Sequence, residues 1–178
     1  MRPLVFAGDS TTELWSEHRP AFFPAHGFAN RGVGGETSRQ IRLRFRSDIV
    51  AAAARGVHLL CGINDIAENE GPVSDDAIRD NVRAMVAEAR GLGIPVWLGS
   101  ILPCARVPWN PEIRPAPRVA SLNAWLRAFA AEQGAVYVDY FAVLGTETGD
   151  LRAGLGEDGL HLSADGYAAI EPVLLSAL

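Results

Sequence analysis

The sequence predicts a single α/β domain in which helices cover both faces of a parallel β-sheet. Five short apolar runs alternate with longer segments whose apolar residues recur at helical spacing. The runs are apolar on both faces, which is typical of parallel strands buried on both sides. The chain has 178 residues and contains no repeat, low-complexity segment or linker. We therefore expect one domain, over residues 1–178, in three layers.

The five apolar runs are the predicted strands. Turn-forming residues, mostly glycine, proline or asparagine, interrupt the chain beside them. In a parallel sheet all carboxyl ends lie at one edge, where open α/β sheets bind their ligands. Residues just after each run are therefore the first candidates for a site. The runs are residues 4–7, 28–33, 57–63, 94–102 and 135–141.

Amphipathic patterns between and after these runs predict the helices. Residues 37–54 carry Ile41, Phe45 and Ile49 at four-residue spacing, and Gly56 is expected to end that helix. Serines cap two further predicted helices. Ser74 caps the predicted helix over residues 74–90, and Ser163 caps a last helix after residue 163. A further helical pattern covers residues 119–133.

Composition excludes several classes of function. The formal net charge of −5 argues against a nucleic-acid or anionic-membrane partner. All 16 basic residues are arginine, which excludes chemistry through a lysine and indicates a GC-rich, bacterial genome. The sequence shows no signal peptide and no membrane-length apolar run, so we expect a cytoplasmic protein. Cys61 and Cys104 have no zinc-ligand spacing and are predicted to be buried thiols.

Ser10 follows the first predicted strand directly, at the start of a helical segment. A serine there can be a helix cap and nothing more. It can also be a nucleophile, because free backbone N–H groups and the positive end of the helix dipole favour a developing oxyanion. The second interpretation requires a general base and a group that orients the base.

Among the four histidines, His161 is the candidate base. His58 alternates with apolar residues in a strand and is expected in the core, whereas His18 and His26 are expected at the surface. Asp158 precedes His161 by three residues, and a tight turn would bring its carboxylate to the imidazole Nδ1. Alone, this pair can equally be a loop aspartate and a surface histidine.

Donors for an oxyanion follow two further strands. Gly34 and Gly35 end the second strand, and Asn64 lies just after the third. Glycine exposes its N–H group with no side chain in the way, and asparagine offers an amide N–H. With the Ser10 N–H group they provide the donors that a tetrahedral oxyanion requires.

Four short blocks follow one another between residues 8 and 161: Gly8-Asp9-Ser10, Asn30-Arg31-Gly32-Val33-Gly34-Gly35-Glu36-Thr37, Gly62-Ile63-Asn64-Asp65 and Asp158-Gly159-Leu160-His161. They resemble the ordered blocks of the SGNH, or GDSL-type, hydrolases, and the resemblance implies a flavodoxin-like strand order 2-1-3-4-5. Residues 30–45 and 62–69, the loop with Trp109 and the fifth strand are similar to small bacterial acylhydrolases of lysophospholipase-like or acetylesterase type.

Carried over position by position, the resemblance implies a catalytic triad of Ser10, His161 and Asp158. Ser10, Gly35 and Asn64 would form the oxyanion hole. No metal or organic cofactor is implied. Gly34 could supply the backbone N–H group in place of Gly35, but the Gly-Glu-Thr step after Gly35 matches the family pattern better. Thr11 departs from the leucine or isoleucine that often follows the serine, without affecting the triad.

Other residues allow both a structural and a functional interpretation. Asp9 and Asp65 are expected to hold turn N–H groups rather than to act as acids. Trp15 can line a pocket or pack in the core. Trp109, in the proline-rich segment 103–117, is a candidate substrate-binding residue or a loop anchor. An anionic substrate group could bind the arginines of this region, although such charges are usually solvated; these are Arg106, Arg114 and Arg118.

The expected activity is ester hydrolysis through an acyl-serine. A small-molecule ester is the expected substrate, with short acyl groups, acetyl first, on a carbohydrate or small alcohol. A lysophospholipase or thioesterase acting on longer chains is the alternative within the family. A catalytically silent binding module is the alternative of another class, and the complete triad argues against it. A nucleotide-binding interpretation is disfavoured because Asp9 and Glu13 would repel a phosphate.

Overall fold

The computed structural model describes residues 2–178 and contains a five-stranded sheet in which every strand pair is parallel. Helices cover both faces of the sheet. The strand order is β2-β1-β3-β4-β5, which confirms the class and the order that the resemblance implied. The strands are β1 Leu4–Gly8, β2 Ala29–Gly32, β3 Gly56–Leu60, β4 Val96–Gly99 and β5 Val136–Val138.

Eight helices alternate with and follow these strands in the described residues. The predicted serine caps are confirmed: the Ser74 hydroxyl accepts from the Ala77 N–H group, and the Ser163 hydroxyl accepts from the Gly166 N–H group. The helices are α1 Ser10–His18, α2 Phe22–His26, α3 Ser38–Ala51, α4 Ile63–Ile66, α5 Asp75–Gly91, α6 Ala116–Gln133, α7 Tyr140–Leu144 and α8 Ala164–Leu175.

Alternate residues of the buried strand β1 supply two separate cores. Val5 and Ala7 join the core on one face of the sheet, which α3, α5 and α6 complete with mostly aliphatic side chains. Leu4 and Phe6 join the core on the other face, where α1, α2, α7 and α8 contribute a largely aromatic cluster. The fully apolar strand is therefore explained by burial of both faces.

The end of α3 differs from the prediction that Gly56 would end it. The helix stops at Ala51, and Ala53 makes the reversal with a positive φ of 48°. Gly56 is the first residue of β3, and a Cβ atom there would lie 2.6 Å from the ring of Trp97. The glycine is thus explained by close packing inside the sheet rather than by helix termination.

Four strands, β2 to β5, end earlier than the apolar runs predict, and two of them show the reason. β3 stops at Leu60, and Gly62, with φ of 119°, turns the chain into the short helix α4. β5 stops at Val138, because the Asp139 side chain caps α7 by accepting from the Ala142 N–H group. Hydrophobicity marks the buried run, but the capping residue decides where the strand gives way to a helix.

The strand register aligns the three segments that follow β1, β2 and β3. Gly8 pairs with Gly32 of β2 and with Leu60 of β3. The two glycines allow close contact with α1, since a Cβ atom at Gly32 would lie 2.2 Å from the Glu13 nitrogen. The residues just beyond these three positions therefore begin at one level of the same sheet edge.

Candidate active site

Ser10 is the first residue of α1 and lies directly after β1. Its backbone is fixed by Asp9, the N-cap residue, whose Oδ1 accepts from the Thr11 N–H group at 3.0 Å. The Ser10 side chain is partly buried, and its Oγ lies 3.2 Å from Nε2 of His161. Residues 151 positions apart in the sequence are thus within hydrogen-bond distance.

The carboxylate of Asp158 holds the other side of the His161 ring. Asp158 Oδ2 lies 2.7 Å from Nδ1 of His161, and Oδ1 accepts from the N–H groups of His161 at 2.8 Å and Leu160 at 2.9 Å. Gly159 makes the tight turn between them with a positive φ of 90°. The Asp-x-x-His spacing therefore does form the predicted carboxylate–imidazole contact.

These contacts explain the acidity of Asp158. Partial burial by itself raises the pKa of this carboxyl, but the hydrogen bonds from the His161 side chain and from the two backbone N–H groups lower it more. The net result is a pKa below the ordinary aspartate value. Asp158 is therefore an anion at neutral pH and can orient and stabilise a protonated imidazole.

Asn64 lies in α4, beside the segment that follows β2. Its side chain is 1% exposed, and its Nδ2 donates to the Glu36 carbonyl at 3.0 Å. Its Oδ1 accepts from Nδ2 of Asn69 at 3.0 Å. An amide nitrogen carries two hydrogens, so one N–H of Asn64 is not used by the Glu36 contact.

That Gly35, rather than Gly34, supplies a backbone N–H group to the oxyanion hole stays a prediction. Gly35 has a positive φ of 77°, and a Cβ atom there would meet nothing within 4 Å. A Cβ atom at Gly34 would lie 3.8 Å from the Ser10 Cβ and 2.7 Å from Oε2 of Glu13. Both glycines accordingly lie in the segment that approaches the serine, and either N–H group can belong to the hole.

Asp9 and Asp65 hold turns, as the sequence predicts. The Asp65 carboxylate accepts from the Ser38 N–H and hydroxyl groups, each at 2.7 Å. Burial raises the pKa of Asp65, and the Ser38 hydrogen bonds oppose that rise. Burial also raises the pKa of Asp9 to about 6, and Asp9 Oδ2 has no hydrogen-bond partner among residues 2–178. Both carboxylates support loops rather than contact the serine hydroxyl.

Trp109 lies against the histidine of the site. Its ring centroid is 6.1 Å from that of His161, with 30° between the planes. The indole Nε1 donates to Oδ1 of Asn69 at 3.0 Å, and half of the side chain is exposed. Trp15, in contrast, is 1% exposed and stacks on Phe22 in the aromatic core. Of the two candidate tryptophans, only Trp109 is at the site.

A narrow apolar slot lies beside the same residues. Three of the side chains that line it belong to Thr11, Ile63 and Leu160, which directly precede or follow Ser10, Asn64 and His161 in the sequence. Its cavity volume is about 10 Å³, which is close to the minimum that holds one water molecule. The other lining residues are Leu60, Ile101, Leu102, Pro103 and Cys104.

The remaining polar candidates divide into neighbours of the site and structural residues. Arg106 lines a cleft of about 290 Å³ with Asp150, Asp158 and Gly159. Arg118 pairs with Asp75 at 2.8 Å, away from the triad residues. Arg114 donates to backbone carbonyls of its own loop.

The other histidines and the cysteines are structural. His58 is fully buried and hydrogen-bonded to Tyr140, as the prediction of a core residue requires. His26 is exposed, but His18 is partly buried and stacks on Tyr167. Both cysteines are buried free thiols.

Residues 2–178 offer neither a metal-binding cluster nor a membrane-spanning helix. They contain no group of three or more histidine, cysteine or acidic side chains placed to hold a metal ion. None of their helices combines the length and apolarity needed to cross a membrane.

Sequence reasoning missed Asn69, which contacts Trp109, Asn64 and the Gly35 carbonyl. It lies outside every motif and in a polar turn, where asparagine is common. Only the three-dimensional contacts reveal it.

Comparison with known proteins places the chain in a defined group. Residues 6–169 match the model of the GDSL-like lipase/acylhydrolase family. A GDSL-like lipase from Bacteroides thetaiotaomicron VPI-5482 superimposes with a TM-score of 0.95 at 35% identity, covering 99% of this chain and 87% of that one.

Two further similarities are more limited. A catalytic mutant of an acetylxylan esterase from Geobacillus stearothermophilus has a TM-score of 0.76 at 21% identity, over 99% of this chain and 93% of that one, which shows a common fold. The uncharacterized lipoprotein YqeF of Bacillus subtilis (strain 168) is 32% identical over 77 residues, or 42% of this chain. That match spans only 32% of the lipoprotein's length.

Proposed function

The chain belongs to the GDSL-like lipase/acylhydrolase family, and from that premise we propose that it is a serine esterase that removes short acyl groups, acetyl first, from a carbohydrate or a small alcohol. The observation that carries the proposal is the continuous contact from serine through histidine to aspartate. Ser10 Oγ lies 3.2 Å from His161 Nε2, and His161 Nδ1 lies 2.7 Å from Asp158 Oδ2. The first distance suits proton transfer from Ser10 to His161, and the second suits a carboxylate that orients and stabilises the imidazole.

The first half of the reaction transfers the acyl group to the enzyme. His161 Nε2 takes the Ser10 proton while Oγ attacks the ester carbonyl, and Asp158 stabilises the imidazolium. The N–H groups of Ser10 and Gly35 and the free amide N–H of Asn64 bind the oxyanion. When the tetrahedral intermediate collapses, His161 gives its proton to the departing alkoxide. The products of this half are the free alcohol and an acyl-serine.

The second half repeats the same steps with water. His161 removes a proton from water, and the resulting hydroxide attacks the acyl carbon in the same oxyanion hole. Collapse of the intermediate breaks the bond to Ser10 Oγ, which recovers its proton from His161. The carboxylic acid leaves and the enzyme returns to its starting state.

The size of the apolar slot supports a short acyl group. Its lining residues Thr11, Ile63 and Leu160 are sequence neighbours of the serine, the amide and the histidine that act on the carbonyl. With a volume of about 10 Å³, the slot is near the minimum for one water-sized group, so we expect it to exclude acyl chains longer than acetyl. An acetyl methyl group is thus the acyl substituent that fits best.

Trp109 supports a carbohydrate or other compact alcohol on the opposite side of the ester. Its half-exposed ring lies beside His161, which must protonate the leaving alcohol. An exposed indole face offers a stacking surface for a sugar ring. The related fold of an acetylxylan esterase is compatible with this assignment, but at 21% identity it supports only the fold.

The test is a series of initial rates on p-nitrophenyl esters from acetate to decanoate, with Ser10→Ala as the inactive reference. We expect the highest kcat/KM for acetate and a steep decline with length. A maximum at long chains would replace the acetyl assignment with a lysophospholipase or thioesterase activity. Rates equal to those of Ser10→Ala at every length would contradict hydrolysis of these esters and favour a silent binding module.

A pair of cysteine variants tests the slot itself. Cys104 and Cys61 are both buried free thiols, but only Cys104 lines the slot. Cys104→Ala should raise the rate on propionate relative to acetate several-fold, whereas Cys61→Ala should leave that ratio unchanged. Equal ratios in both variants would show that the slot does not hold the acyl group.

The cytoplasmic location and the extent of the domain over residues 1–178 stay predictions. Cell fractionation would test the first and limited proteolysis the second.

A further inference from the structure

The exposed side chain of Asn69 contacts three parts of the candidate active site. Its Oδ1 accepts from Nε1 of Trp109 at 3.0 Å. Its Nδ2 donates to Oδ1 of Asn64 at 3.0 Å and to the Gly35 carbonyl at 3.2 Å. One amide thereby joins the proline-rich loop to two of the predicted oxyanion-hole residues.

The chemistry of these groups gives the contacts a direction. The indole Nε1–H of Trp109 can only donate, so it requires the oxygen of the Asn69 amide on its side. The Asn69 nitrogen then faces Asn64 and requires the Asn64 oxygen there. Consequently the nitrogen of Asn64 is turned toward the Glu36 carbonyl, to which it donates at 3.0 Å. The orientation of the buried amide is thus determined from the surface loop inward.

The backbone conformation at residues 68 and 69 holds the Asn69 side chain in this position. Its N–H group donates to the Asn64 carbonyl at 3.1 Å. The preceding residue, Glu68, has a positive φ of 61°, which a residue other than glycine adopts only when surrounding contacts require it. The chain therefore folds back at Glu68 and returns Asn69 to the amide five positions earlier.

We propose that Asn69 is a positioning residue that orients the Asn64 amide toward the oxyanion and makes this orientation depend on the placement of Trp109 over His161. The proposal rests on the function proposed above, because it concerns the same oxyanion hole. Without Asn69, the buried Oδ1 of Asn64 would lose its only side-chain donor among the described residues. The amide could then rotate and present oxygen where the reaction requires N–H.

The first variant is Asn69→Leu, which keeps the size of the side chain and removes both polar atoms without adding charge. Direct loss of an oxyanion donor lowers kcat about 100- to 1,000-fold in other enzymes. For this indirect effect we expect a loss of kcat of about tenfold on p-nitrophenyl acetate, with KM within about twofold. Asn110→Leu is the matched control, because Asn110 follows Trp109 in the proline-rich loop and its side chain donates only to the Ala67 carbonyl. It should retain the parent kcat.

A double-mutant cycle separates positioning from a general structural effect. If Asn69 acts through Asn64, Asn69→Leu should cost less than about threefold in an Asn64→Ala background. Trp109→Phe keeps an aromatic ring at this position but removes the Nε1–H donor and part of the ring area. It should lower kcat about threefold, and the loss should be smaller when Asn69 is already leucine. Thermal melting of every variant identifies any that unfold.

Parent-like kcat in Asn69→Leu, or the same loss with and without Asn64, would overturn the positioning role. These results remain distinct from failure of the proposed function. In that case Ser10→Ala would hydrolyse the ester as fast as the parent protein. If Ser10→Ala is inactive and Asn69→Leu is fully active, only the inference about Asn69 fails.

Discussion

Residues 2–178 contain two histidine–hydroxyl pairs, and comparing them shows what a candidate catalytic site requires. At the sheet edge, His161 Nε2 lies 3.2 Å from Ser10 Oγ. Inside the sheet, His58 Nε2 lies 2.8 Å from the Tyr140 hydroxyl. By distance alone the buried pair is the better hydrogen bond.

The surroundings of the two imidazoles differ in every respect that matters for proton transfer. His161 has the Asp158 carboxylate on Nδ1, whereas Nδ1 of His58 has no partner among the described residues. Burial lowers the pKa of His58 to about 3 and raises the pKa of Tyr140 well above its usual value. The buried pair therefore stays neutral and fixed. A histidine beside a hydroxyl becomes a base only with a carboxylate behind it and access to a substrate.

The largest expected effect is a difference in activity between the two histidines. His161→Gln removes the proposed base, and comparable losses in a serine protease reach about 10⁶ in kcat. We expect kcat on p-nitrophenyl acetate to fall on the order of 10⁵-fold or more. His58→Asn keeps a polar partner for Tyr140 and should leave kcat within about threefold of the parent. More than 1% of parent activity in His161→Gln would argue against its role.

The second expected effect concerns the carboxylate that distinguishes the two pairs. Asp158→Asn keeps the size of the side chain but removes the charge that stabilises a protonated His161, and kcat should fall about 10⁴-fold. The melting temperature should change far less than the activity, because Asp158 is partly exposed. Single-turnover kinetics would measure the loss. A reduction of less than tenfold would mean that the carboxylate only anchors its own turn.

The third prediction uses pH, because Asp9 and His58 are both fully buried but have pKa values shifted in opposite directions. With a folded pKa of about 6, against 3.8 unfolded, Asp9 binds a proton only in the folded state between these values, so its contribution to stability falls as pH rises. His58, with a folded pKa of about 3 against 6.5, does the reverse. Over pH 4–6 the two contributions oppose each other.

Substituting either Asp9 or His58 reveals how the other group's contribution to stability depends on pH. Asp9→Asn, which keeps the helix cap, should make the slope of unfolding free energy against pH more positive by about 1.4 kcal/mol per pH unit between pH 4 and 6. His58→Asn should make that slope more negative by a similar amount. Urea denaturation at several pH values measures both. Slopes parallel to that of the parent protein would show that these buried groups do not titrate as stated.

The smallest expected effect is at Tyr140. Tyr140→Phe removes the hydroxyl and leaves Nε2 of His58 unpaired, which should cost about 1–3 kcal/mol of unfolding free energy. Hydrolysis rates should remain those of the parent, in contrast to the Ser10→Ala variant, which should lose activity and keep its stability. Guanidinium denaturation and rates on p-nitrophenyl acetate provide the two measurements. A joint loss of stability and activity would show that the two pairs are coupled.

The same contrast explains what could be predicted from the sequence. Alternation and apolar runs predict the sheet and its helices because burial of both faces leaves a strong pattern, as in Leu4–Gly8. Strand ends that share an edge place Ser10, Gly35 and Asn64 together, whereas only the resemblance of the four blocks brings His161 and Asp158 to them. The sequence also predicts that His58 is buried, because its neighbours in the strand are apolar.

Features set by individual backbone angles or by distant contacts could not be predicted. Gly56 has the sequence context of a helix end, yet the ring of Trp97 decides its place, and Ala53 takes the positive φ instead. Asn69 is one of many polar loop residues until Trp109 and Asn64 are brought against it. Gly56 and Asn69 each depend on a tryptophan dozens of positions away in the sequence. Ala53 and Glu68 adopt positive φ angles, which residues other than glycine rarely adopt.

The central claim is that Ser10 is a nucleophile activated by His161, and covalent labelling tests it most directly. The parent protein, Ser10→Ala and His161→Gln would be treated with a fluorophosphonate and examined by intact mass and peptide mapping. The account predicts one phosphonyl group on Ser10 with loss of fluoride, no label in Ser10→Ala and much slower labelling in His161→Gln. Labelling of another residue, or equal labelling of Ser10→Ala, would contradict it.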